Sequence, residues 1–359
     1  MNKIEKIFTS GKTIPVVFAT DKNFLPYMYV AISSLIENSS PKNNYDIVIL
    51  YSDIDEYSQN KIKKLCTQNI SIRFFNMSNI IKQHEGLWYT HWSYTEAMYY
   101  RFIIPQIFEE YEKVLYLDGD IIINCDITEL YDIDLENNWV GAIADNSIHH
   151  EKSPAYDYIP STLHLEREKY FSSGVMVFNV QELLNTNFFN KCIRVLSELK
   201  TPIFPDQDVL NIVCDGNIKY IDFTYNFTWN IINHYMNIEN YVSDEKFKQI
   251  EDAKRSPKII HYCGAKKAWK QPDLPYAEYF WQYARKTPFY EELIYKNIKR
   301  PAISRAAIKN VVNRHKIYAQ YLRCKLLKAF TFGKVKEHYA DKANRLKVQI
   351  RDYRNTLQK

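Results

Sequence analysis

Glycine is scarce in this chain, and its scarcity argues against two common kinds of nucleotide site. The 359 residues include only 8 glycines. Glycine-rich loops bind phosphates in P-loop proteins and in dinucleotide-binding folds. Neither G-x-x-x-x-G-K-[ST] nor G-x-G-x-x-G occurs in this sequence. The sequence therefore disfavours a glycine-rich phosphate loop.

Paired cysteines and long apolar runs are also missing. The six cysteines are scattered without a C-x-x-C pair, which disfavours a zinc knuckle or a disulfide framework. No uncharged apolar run approaches the length of a transmembrane helix, and the first residues show no apolar signal segment. The hydrophobic fraction, 46%, is ordinary for a globular protein with a sizeable core. These features predict a cytoplasmic protein.

Charge is distributed very unevenly along the chain. Residues 299–359 hold 17 Lys or Arg against 3 Asp or Glu, a local net charge of +14. The remainder carries 30 basic and 39 acidic residues, a net charge of −9, although the whole chain is at +5. Because a strongly basic segment seeks an anionic surface, we predict a globular body over 1–298 and a separate basic tail over 299–359.

The basic tail contains two stretches with helical spacing of apolar residues. The first stripe consists of Ile308, Val312, Ala319, Leu322 and Leu326; the second, after a break at Gly333, consists of Tyr339, Ala343, Leu346, Ile350, Tyr353 and Leu357. A basic amphipathic helix is typical of a membrane-surface element. Docking on the body, or pairing as a short coiled coil, remains the alternative.

Apolar runs with strand character alternate with helical stretches through residues 14–222. The predicted strands are Ile14–Ala19, Asp46–Tyr51, Ile70–Phe75, Val114–Leu117, Val140–Ala144, Gly174–Asn179 and Ile218–Asp222, and the predicted helices are Leu25–Ile36, Glu56–Cys66, Thr95–Ile107, Val180–Leu199 and Asp206–Cys214. Such alternation predicts an α/β fold with a mainly parallel sheet. Ligands of these sheets bind outside the carboxyl ends of the strands. A further apolar run covers 258–262, and residues 223–257 are predicted to be irregular.

Two carboxylates flank a glycine where one of these strands ends. Lys113–Leu117 is apolar and leads directly into Asp118, Gly119 and Asp120. Residues two apart on an extended chain point the same way, and two neighbouring acids repel each other unless a cation or a proton intervenes. A divalent metal with a phosphate on its far side fits this pattern. An ordinary polar turn is the alternative, since Asp and Gly favour turns.

Four further polar segments stand at the ends of predicted elements. They are Phe18–Asn23, Tyr170–Gly174, Phe204–Asp208 and His261–Lys267. Each also has a purely structural explanation: a helix cap for Asp21 and Asn23, a favourable helix dipole for Asp206 and Asp208, a half-buried imidazole for His261 and a solvated ammonium for Lys267. Their shared placement at element ends favours one common site.

Six segments together resemble the retaining glycosyltransferases of family 8, which include bacterial lipopolysaccharide and lipooligosaccharide galactosyl- and glucosyltransferases. The resemblance covers about residues 14–270 and rests on Phe18–Asn23, Tyr99–Arg101, Leu115–Asp120, Tyr170–Val175, Asp206–Asn211 and His261–Gly264 with Lys267 and Trp269. It implies a GT-A fold for the catalytic domain over 1–298, a UDP-sugar donor and a divalent metal.

The resemblance also implies roles for individual residues. Asp118 and Asp120 would be the carboxylates of the family's D-x-D motif and His261 the third protein ligand of Mn²⁺, with Mg²⁺ as the alternative ion. The diphosphate would contact Lys267, near Gly119 and Gly264. The remaining donor contacts would be Ala19, Thr20, Asp21 and Asn23 around uracil and ribose, and Arg101, Ser172, Ser173, Asp206 and Gln207 around the transferred sugar.

Retention of configuration points to Asp206 and Gln207 as the catalytic candidates. A double displacement needs a nucleophile on the far face of the sugar. Gln is a poor nucleophile, and Asp206 is expected to bind sugar hydroxyls. We therefore favour front-face transfer, in which a donor phosphate oxygen helps to deprotonate the acceptor.

Two positions depart from the family's pattern. Ser172 stands where the family usually has Asn, which shortens one sugar contact and leaves the donor open between UDP-galactose and UDP-glucose. Ala268 replaces the usual Pro before Trp269, and we expect this change to loosen the loop that carries Lys267. Neither departure removes the metal ligands.

The sequence thus favours a hexosyltransferase that extends a lipopolysaccharide core or another surface glycan with an α linkage. The basic tail would hold it at the inner face of the membrane or join two copies, and residues 145–168 and 223–257 would shape the acceptor pocket. Two alternatives remain. A haloacid-dehalogenase-type phosphatase also has Asp-x-Asp after a strand, but a Thr normally follows where Ile121–Ile123 stands. A basic-tailed nucleic-acid-binding or scaffold protein would use the tail instead, although its acidic body would repel phosphate.

Overall fold

The apolar runs of the body form one central sheet and a small ribbon. The computed structural model describes residues 3–90, 95–228, 238–297, 319–330 and 332–356. The strands are β1 (Thr13–Ala19), β2 (Asn44–Tyr51), β3 (Ile70–Asn76), β4 (Lys113–Leu117), β5 (Ile121–Ile123), β6 (Val140–Ala144), β7 (Phe171–Asn179), β8 (Ile218–Tyr220) and β9 (Ile259–His261). Within the described ranges the central sheet has seven strands in the order β3-β2-β1-β4-β7-β6-β8. The predicted α/β class and mainly parallel sheet are confirmed.

Helices flank the sheet, as the alternation of strand-like and helix-like stretches in the sequence predicts. They are α1 (Leu25–Glu37), α2 (Glu56–Lys63), α3 (Ser78–Gln83), α4 (Ile104–Ile107), α5 (Thr128–Tyr131), α6 (Val180–Leu184), α7 (Phe188–Leu199), α8 (Pro205–Cys214), α9 (Asp244–Arg255), α10 (Ala277–Ala284) and α11 (Tyr290–Asn297). Successive side chains of a strand pack into two different apolar clusters. In β1, Val16 and Phe18 pack on one face of the sheet, and Val17 packs on the other. Both faces are therefore covered, as expected for a parallel sheet.

Strand β7 is antiparallel to its neighbours, and its direction determines which residues lie close together at the edge of the sheet. It pairs antiparallel with both β4 and β6, whereas β1 pairs parallel with β2 and β4. The amino-terminal end of β7 therefore lies at the same edge of the sheet as the carboxyl ends of β1 and β4. This orientation brings Ser172, Ser173 and Gly174 to the edge that carries Asp118.

A second, two-stranded sheet follows directly after the acidic turn at that edge. Strand β5, which the sequence analysis did not predict, pairs antiparallel with β9, and Ile121 stands opposite His261. The backbone N–H of Tyr262 donates to the carbonyl of Asp120 at 2.9 Å. Two segments about 140 residues apart in sequence are thereby joined next to the acidic turn.

Three predicted elements differ from the structure, each for a local reason. The helix predicted over Thr95–Ile107 is a 3₁₀ helix at Glu96–Ile103 followed by α4, because the ring of Pro105 would clash with the carbonyl of the residue four positions earlier. The helix predicted over 180–199 is interrupted by Asn187, which adopts the left-handed conformation at φ 55°.

The third difference concerns residues 223–257, which were predicted to be irregular. They contain helix α9, at whose amino terminus the backbone N–H of Lys246 donates to the side-chain oxygen of Ser243. Only Ile250 and Ala253 of this helix are buried. So few apolar positions among many charges give a weak periodic signal in the sequence.

The basic tail forms its own compact unit over 298–359, separate from the unit over 1–297. Its described helices are α12 (319–330) and α13 (Gly333–Thr356). Cys324, Ala343 and Leu346 are buried together, whereas Phe330 and Phe332 are 76% and 85% exposed. Ile308, Val312 and Leu357 of the predicted stripes lie outside the described residues. Among the described helices, none combines the length and hydropathy needed to span a membrane.

Candidate active site

Two carboxylates and one imidazole converge at the edge of the sheet. Ligand atoms of Asp118, Asp120 and His261 all lie within 4.8 Å of one another. The Nε2 atom of His261 is 3.1 Å from Oδ1 of Asp120 and 3.7 Å from Oδ2 of Asp118. The three side chains proposed as metal ligands from the resemblance are thus adjacent, although His261 lies about 140 residues further along the chain.

Asn226 orients the histidine, and the sequence analysis missed it. Its Oδ1 atom lies 2.8 Å from Nδ1 of His261, and Asn226 is only 1% exposed. This contact fixes the orientation of the ring, so that Nε2 of His261 faces the two carboxylates. A hydrogen bond to the other ring nitrogen is how metal-binding histidines are normally held. No local sequence pattern could have indicated this pairing.

Gly174 provides the space in which this cluster fits. It lies within an irregularity of β7, between residues 172 and 176, which pair with neighbouring residues of β6. A Cβ atom on Gly174 would stand 2.3 Å from Cε1 of His261 and 2.9 Å from Oδ2 of Asp118. Bulges of this kind are common next to active sites, where they redirect the chain. Only glycine allows the backbone this close to the cluster.

Lys267 contributes the positive charge of the site. Its ammonium forms an ion pair with Oδ2 of Asp120. Burial disfavours the charged form of Asp120, but Lys267 and His261 outweigh burial and hold the pKa of Asp120 well below its usual range. The loop turns at Gly264, which has φ 76°, and Trp269 stacks on Tyr27 of α1 with ring centroids 4.2 Å apart. Trp269 thus anchors the loop after Ala268.

Arg101 connects Asp118, one of the proposed metal ligands, to α8, the helix that carries Asp206. Its guanidinium is 2.8 Å from Oδ1 of Asp118 and 3.0 Å from Oδ2 of Asp206, and it lies over the Tyr116 ring at 4.1 Å. Burial disfavours its charge, but the two carboxylates outweigh burial and raise the pKa of Arg101. Arg101 therefore remains charged, and it aligns Asp118 with Asp206.

The amino-terminal turn of α8 is held by several hydrogen bonds. The hydroxyl of Ser173 donates to Asp206 at 2.8 Å, and the backbone N–H of Ser173 donates to Oε1 of Gln207 at 3.1 Å. The amide of Gln207 donates in turn to Oδ2 of Asp145 at 3.1 Å. Burial raises the pKa of Asp206, although Arg101 opposes this shift. Ser172 is buried near the start of β7. Asp145, the first residue of the range predicted to shape the acceptor pocket, thus contacts the proposed sugar-binding residue Gln207.

The segment after β1 lies at the same edge of the sheet. The carboxylate of Asp21 accepts the backbone N–H groups of Asn23 and Phe24 at 2.7 and 3.0 Å, so Asp21 orders the turn before α1. Thr20 is buried and Ala19 is half-buried, whereas Asn23 is exposed. Asp53, which was not predicted, accepts the N–H of Lys22 at 3.0 Å.

The donor set fits a divalent metal. Two carboxylates and an imidazole are suitable ligands for Mn²⁺ and similar ions, and Asn226 holds the ring of His261 with Nε2 towards both carboxylates. Gly174 allows two of these ligands to converge, because a Cβ atom there would stand 2.3 Å from Cε1 of His261 and 2.9 Å from Oδ2 of Asp118. The cluster can therefore hold a metal without rearrangement of the sheet.

Comparisons with known proteins agree with this arrangement. The sequence model described as Glycosyl transferase family 8 matches residues 15–272. Lipopolysaccharide 1,2-glucosyltransferase of Escherichia coli K12 is 26% identical over 279 residues, which cover 76% of this chain and 77% of that enzyme. Lipopolysaccharide 1,3-galactosyltransferase of Salmonella typhimurium LT2 is 24% identical over 280 residues, which cover 76% and 78%.

A solved structure shows the same fold. The bifunctional glycosyltransferase WbbM, in its apo form, aligns with a TM-score of 0.70 and 27% identity over 82% of this chain. The match spans 53% of that longer protein. The sheet, its antiparallel strand and the acidic turn at its edge define a glycosyltransferase of the GT-A type. The chain belongs to glycosyltransferase family 8, and the phosphatase and nucleic-acid-binding alternatives find no support.

Proposed function

We propose that this protein is a metal-dependent, α-retaining hexosyltransferase that uses UDP-glucose or UDP-galactose. The observation that carries the proposal is the convergence of Asp118, Asp120 and His261 beside Lys267. When bound, a divalent metal, most suitably Mn²⁺, would supply Lewis-acid stabilisation of the departing diphosphate. Relatives named as lipopolysaccharide glucosyl- and galactosyltransferases support a lipopolysaccharide core or a related surface glycan as the acceptor.

The donor would extend along the edge of the sheet from β1 towards α8. Uracil and ribose would contact Ala19, Thr20, Asp21 and Asn23 after β1. The diphosphate would lie near Gly119, Gly264 and the ammonium of Lys267, which acts as a point charge. The transferred sugar would contact a polar group at the same edge of the sheet, which consists of the buried Arg101, Ser172, Ser173 and Asp206 and the half-buried Gln207.

Front-face transfer remains our proposal for retention of configuration. Both ends of the Gln207 amide are engaged, one by Ser173 and the other by Asp145. Asp206 is held by Ser173 and Arg101. Groups fixed in this way are suited to orienting sugar hydroxyls. An amide is also a poor nucleophile, which supports a mechanism without a covalent sugar–enzyme intermediate.

A UDP-release assay with Asp120→Asn tests the proposed function. We expect turnover of UDP-glucose or UDP-galactose to require Mn²⁺ and to fall on the order of 100-fold in the variant, because one metal ligand loses its charge. Asp132→Asn is the matched control: Asp132 is exposed and pairs with Lys12 away from the site. Metal-independent turnover, or an Asp120→Asn enzyme as active as the control, would exclude the proposed role of the acidic turn.

For the basic tail we propose attachment to an anionic membrane surface. The net charge of +14 over 299–359 supports it, and so do the exposed rings of Phe330 and Phe332 beside Lys328 and Lys334. Each basic residue near such a surface contributes about 1 kcal/mol. The enzyme would then act at the inner face of the membrane, where lipid-linked acceptors are found. Self-association through the tail is the other outcome to be distinguished.

Truncation after residue 300 tests the role of the tail. We expect the shortened protein to release UDP at the full rate but to lose its sedimentation with phosphatidylglycerol vesicles, because the basic charge is gone. Phosphatidylcholine vesicles are the control, and they should bind neither form. Vesicle binding that survives truncation would disprove membrane attachment by the tail. A change from dimer to monomer in sedimentation, without any vesicle binding by the full chain, would favour self-association.

A further inference from the structure

A small apolar core lies next to the candidate site, apart from both faces of the sheet. Ile148, Ala155, Ile159 and Leu163 pack there around Tyr170. Four of these five residues come from residues 145–168, here called the acceptor-side segment. Its first residue, Asp145, accepts the bond from Gln207. The segment therefore starts at the proposed sugar site and then folds over a core of its own.

Asp208 is the polar centre of this small core. It is completely buried, and its carboxylate accepts three hydrogen bonds from three separate parts of the chain. The hydroxyl of Tyr158 donates to it at 2.9 Å, the backbone N–H of Phe204 donates at 3.0 Å, and the hydroxyl of Tyr170 donates to its other oxygen. Among the described residues, no basic side chain forms an ion pair with Asp208.

Stability alone does not account for a carboxylate in this position. A buried charge without a cation is unfavourable, and burial raises the pKa of Asp208 to about 6. The neighbouring charge of Asp206 adds to this effect, whereas the three donors oppose it. An apolar or amide side chain would avoid the penalty. What the carboxylate provides is a junction that can accept from three donors at once.

We propose that Asp208 is a positioning residue that locks the acceptor-side segment, through Tyr158, to the turn of α8 that carries Asp206 and Gln207. The inference rests on the proposed function. Asp208 is too deeply buried to touch a substrate, so it acts through its neighbours. With the lock in place, Asp145 stays against Gln207, and the acceptor's hydroxyl is aimed at the anomeric carbon. Without it, the donor is still bound, but the acceptor side of the site loosens.

Two variants of the full-length protein test the lock. Tyr158→Phe removes only the bond from the acceptor-side segment, and Asp208→Asn replaces the charged junction by an amide of the same shape. Tyr111→Phe is the matched control, because it removes a tyrosine hydroxyl that donates to a different buried carboxylate, that of Asp46 in β2, at 2.6 Å. The readouts are amide hydrogen exchange over 145–168, UDP affinity with Mn²⁺, UDP-sugar hydrolysis, and transfer to the glycolipid fraction of cells that lack the enzyme.

We expect both variants to exchange faster over 145–168 and to keep their UDP affinity within about twofold. The ratio of transfer to hydrolysis should fall about tenfold, the effect of one lost positioning bond. An equal fall in transfer and hydrolysis, unchanged exchange over 145–168, or the same result in Tyr111→Phe would overturn the proposal. A wild-type protein that turns over no UDP-sugar would instead refute the proposed function, while hydrogen exchange would still decide whether Asp208 holds the segment.

Discussion

Replacing Gly174 with alanine is expected to eliminate metal-dependent turnover while the protein remains folded. The added Cβ would stand 2.3 Å from Cε1 and 2.8 Å from Nδ1 of His261, and 2.9 Å from Oδ2 of Asp118. The imidazole cannot move away without breaking its bond to Asn226. Because two of the three proposed ligands are displaced, we expect Mn²⁺ affinity and UDP release to fall on the order of 100-fold or more.

Gly141→Ala is the matched control for this substitution. Gly141 lies in β6 of the same sheet, and its added Cβ would meet Cδ2 of Leu135 at 2.7 Å and Cδ1 of Ile221 at 2.8 Å. These atoms are the ends of flexible side chains, so we expect a loss of stability and an intact metal site. Electron paramagnetic resonance of Mn²⁺, UDP release and thermal unfolding would be measured for both variants. Normal Mn²⁺ binding by Gly174→Ala would show that the ion is held elsewhere.

Arg101→Met is expected to impair both stability and turnover. Removing the guanidinium leaves the carboxylates of Asp118 and Asp206 without their shared cation, and Arg101 is only 3% exposed. Breaking a buried ion pair from one side destabilises a protein by about 3–5 kcal/mol. UDP release should fall sharply, because Asp118 and Asp206 lose their alignment. Urea unfolding and UDP release, the latter assayed below the unfolding transition, measure the two effects.

The pH dependence of this variant follows from Asp206. Burial already raises its pKa, and loss of Arg101 removes the main opposing charge. A carboxyl group whose pKa is higher in the folded than in the unfolded state favours folding when it is protonated, and this contribution is lost as the pH rises. The stability deficit of Arg101→Met should therefore be smaller at pH 5 than at pH 8. A deficit that stays constant over this range would assign the loss to packing instead of charge.

Arg73→Met is the control for Arg101→Met, because it breaks a buried ion pair outside the candidate site. Arg73 pairs with the buried carboxylate of Asp46 in β2, and Tyr111 also donates to that carboxylate at 2.6 Å. We expect this control to lose stability, by somewhat less because Arg73 is partly exposed, and to retain its UDP release. Wild-type turnover in Arg101→Met would contradict the alignment role, whatever the loss of stability.

Local patterns were sufficient to predict the elements that bear the site. Strand β4 is an apolar run that ends in two acids, so both its existence and the position of Asp118 and Asp120 follow from composition alone. The helix that carries Asp206 begins at a proline, which suits the first helical position. The segment His261–Lys267 was a candidate from its residues, but only the resemblance to a family connected His261 and Lys267 to the acidic turn.

The features that the sequence analysis missed have two causes. Strand β5 is only three isoleucines long, too short for a periodic signal. Asn226, Asp145 and Asp208 are ordinary polar residues in sequence, and their importance lies in what they contact. Hydrogen bonds between residues 35 or 62 positions apart depend on which strands are neighbours, and that information is not contained in any window of sequence.

The sequence by itself determined the α/β class, the acidic turn at the end of β4 and the contrast between an acidic body and a basic tail, because each depends on residues adjacent in the chain. Only the tertiary structure decided that β7 runs antiparallel, that β5 pairs with β9, and that Gly174 leaves room for three ligands. These features depend on which strands pair with each other across long stretches of sequence. The burial of whole strands decides that pairing. Two of the three proposed metal ligands therefore lie in one short segment, and the packing of the sheet brings the third beside them.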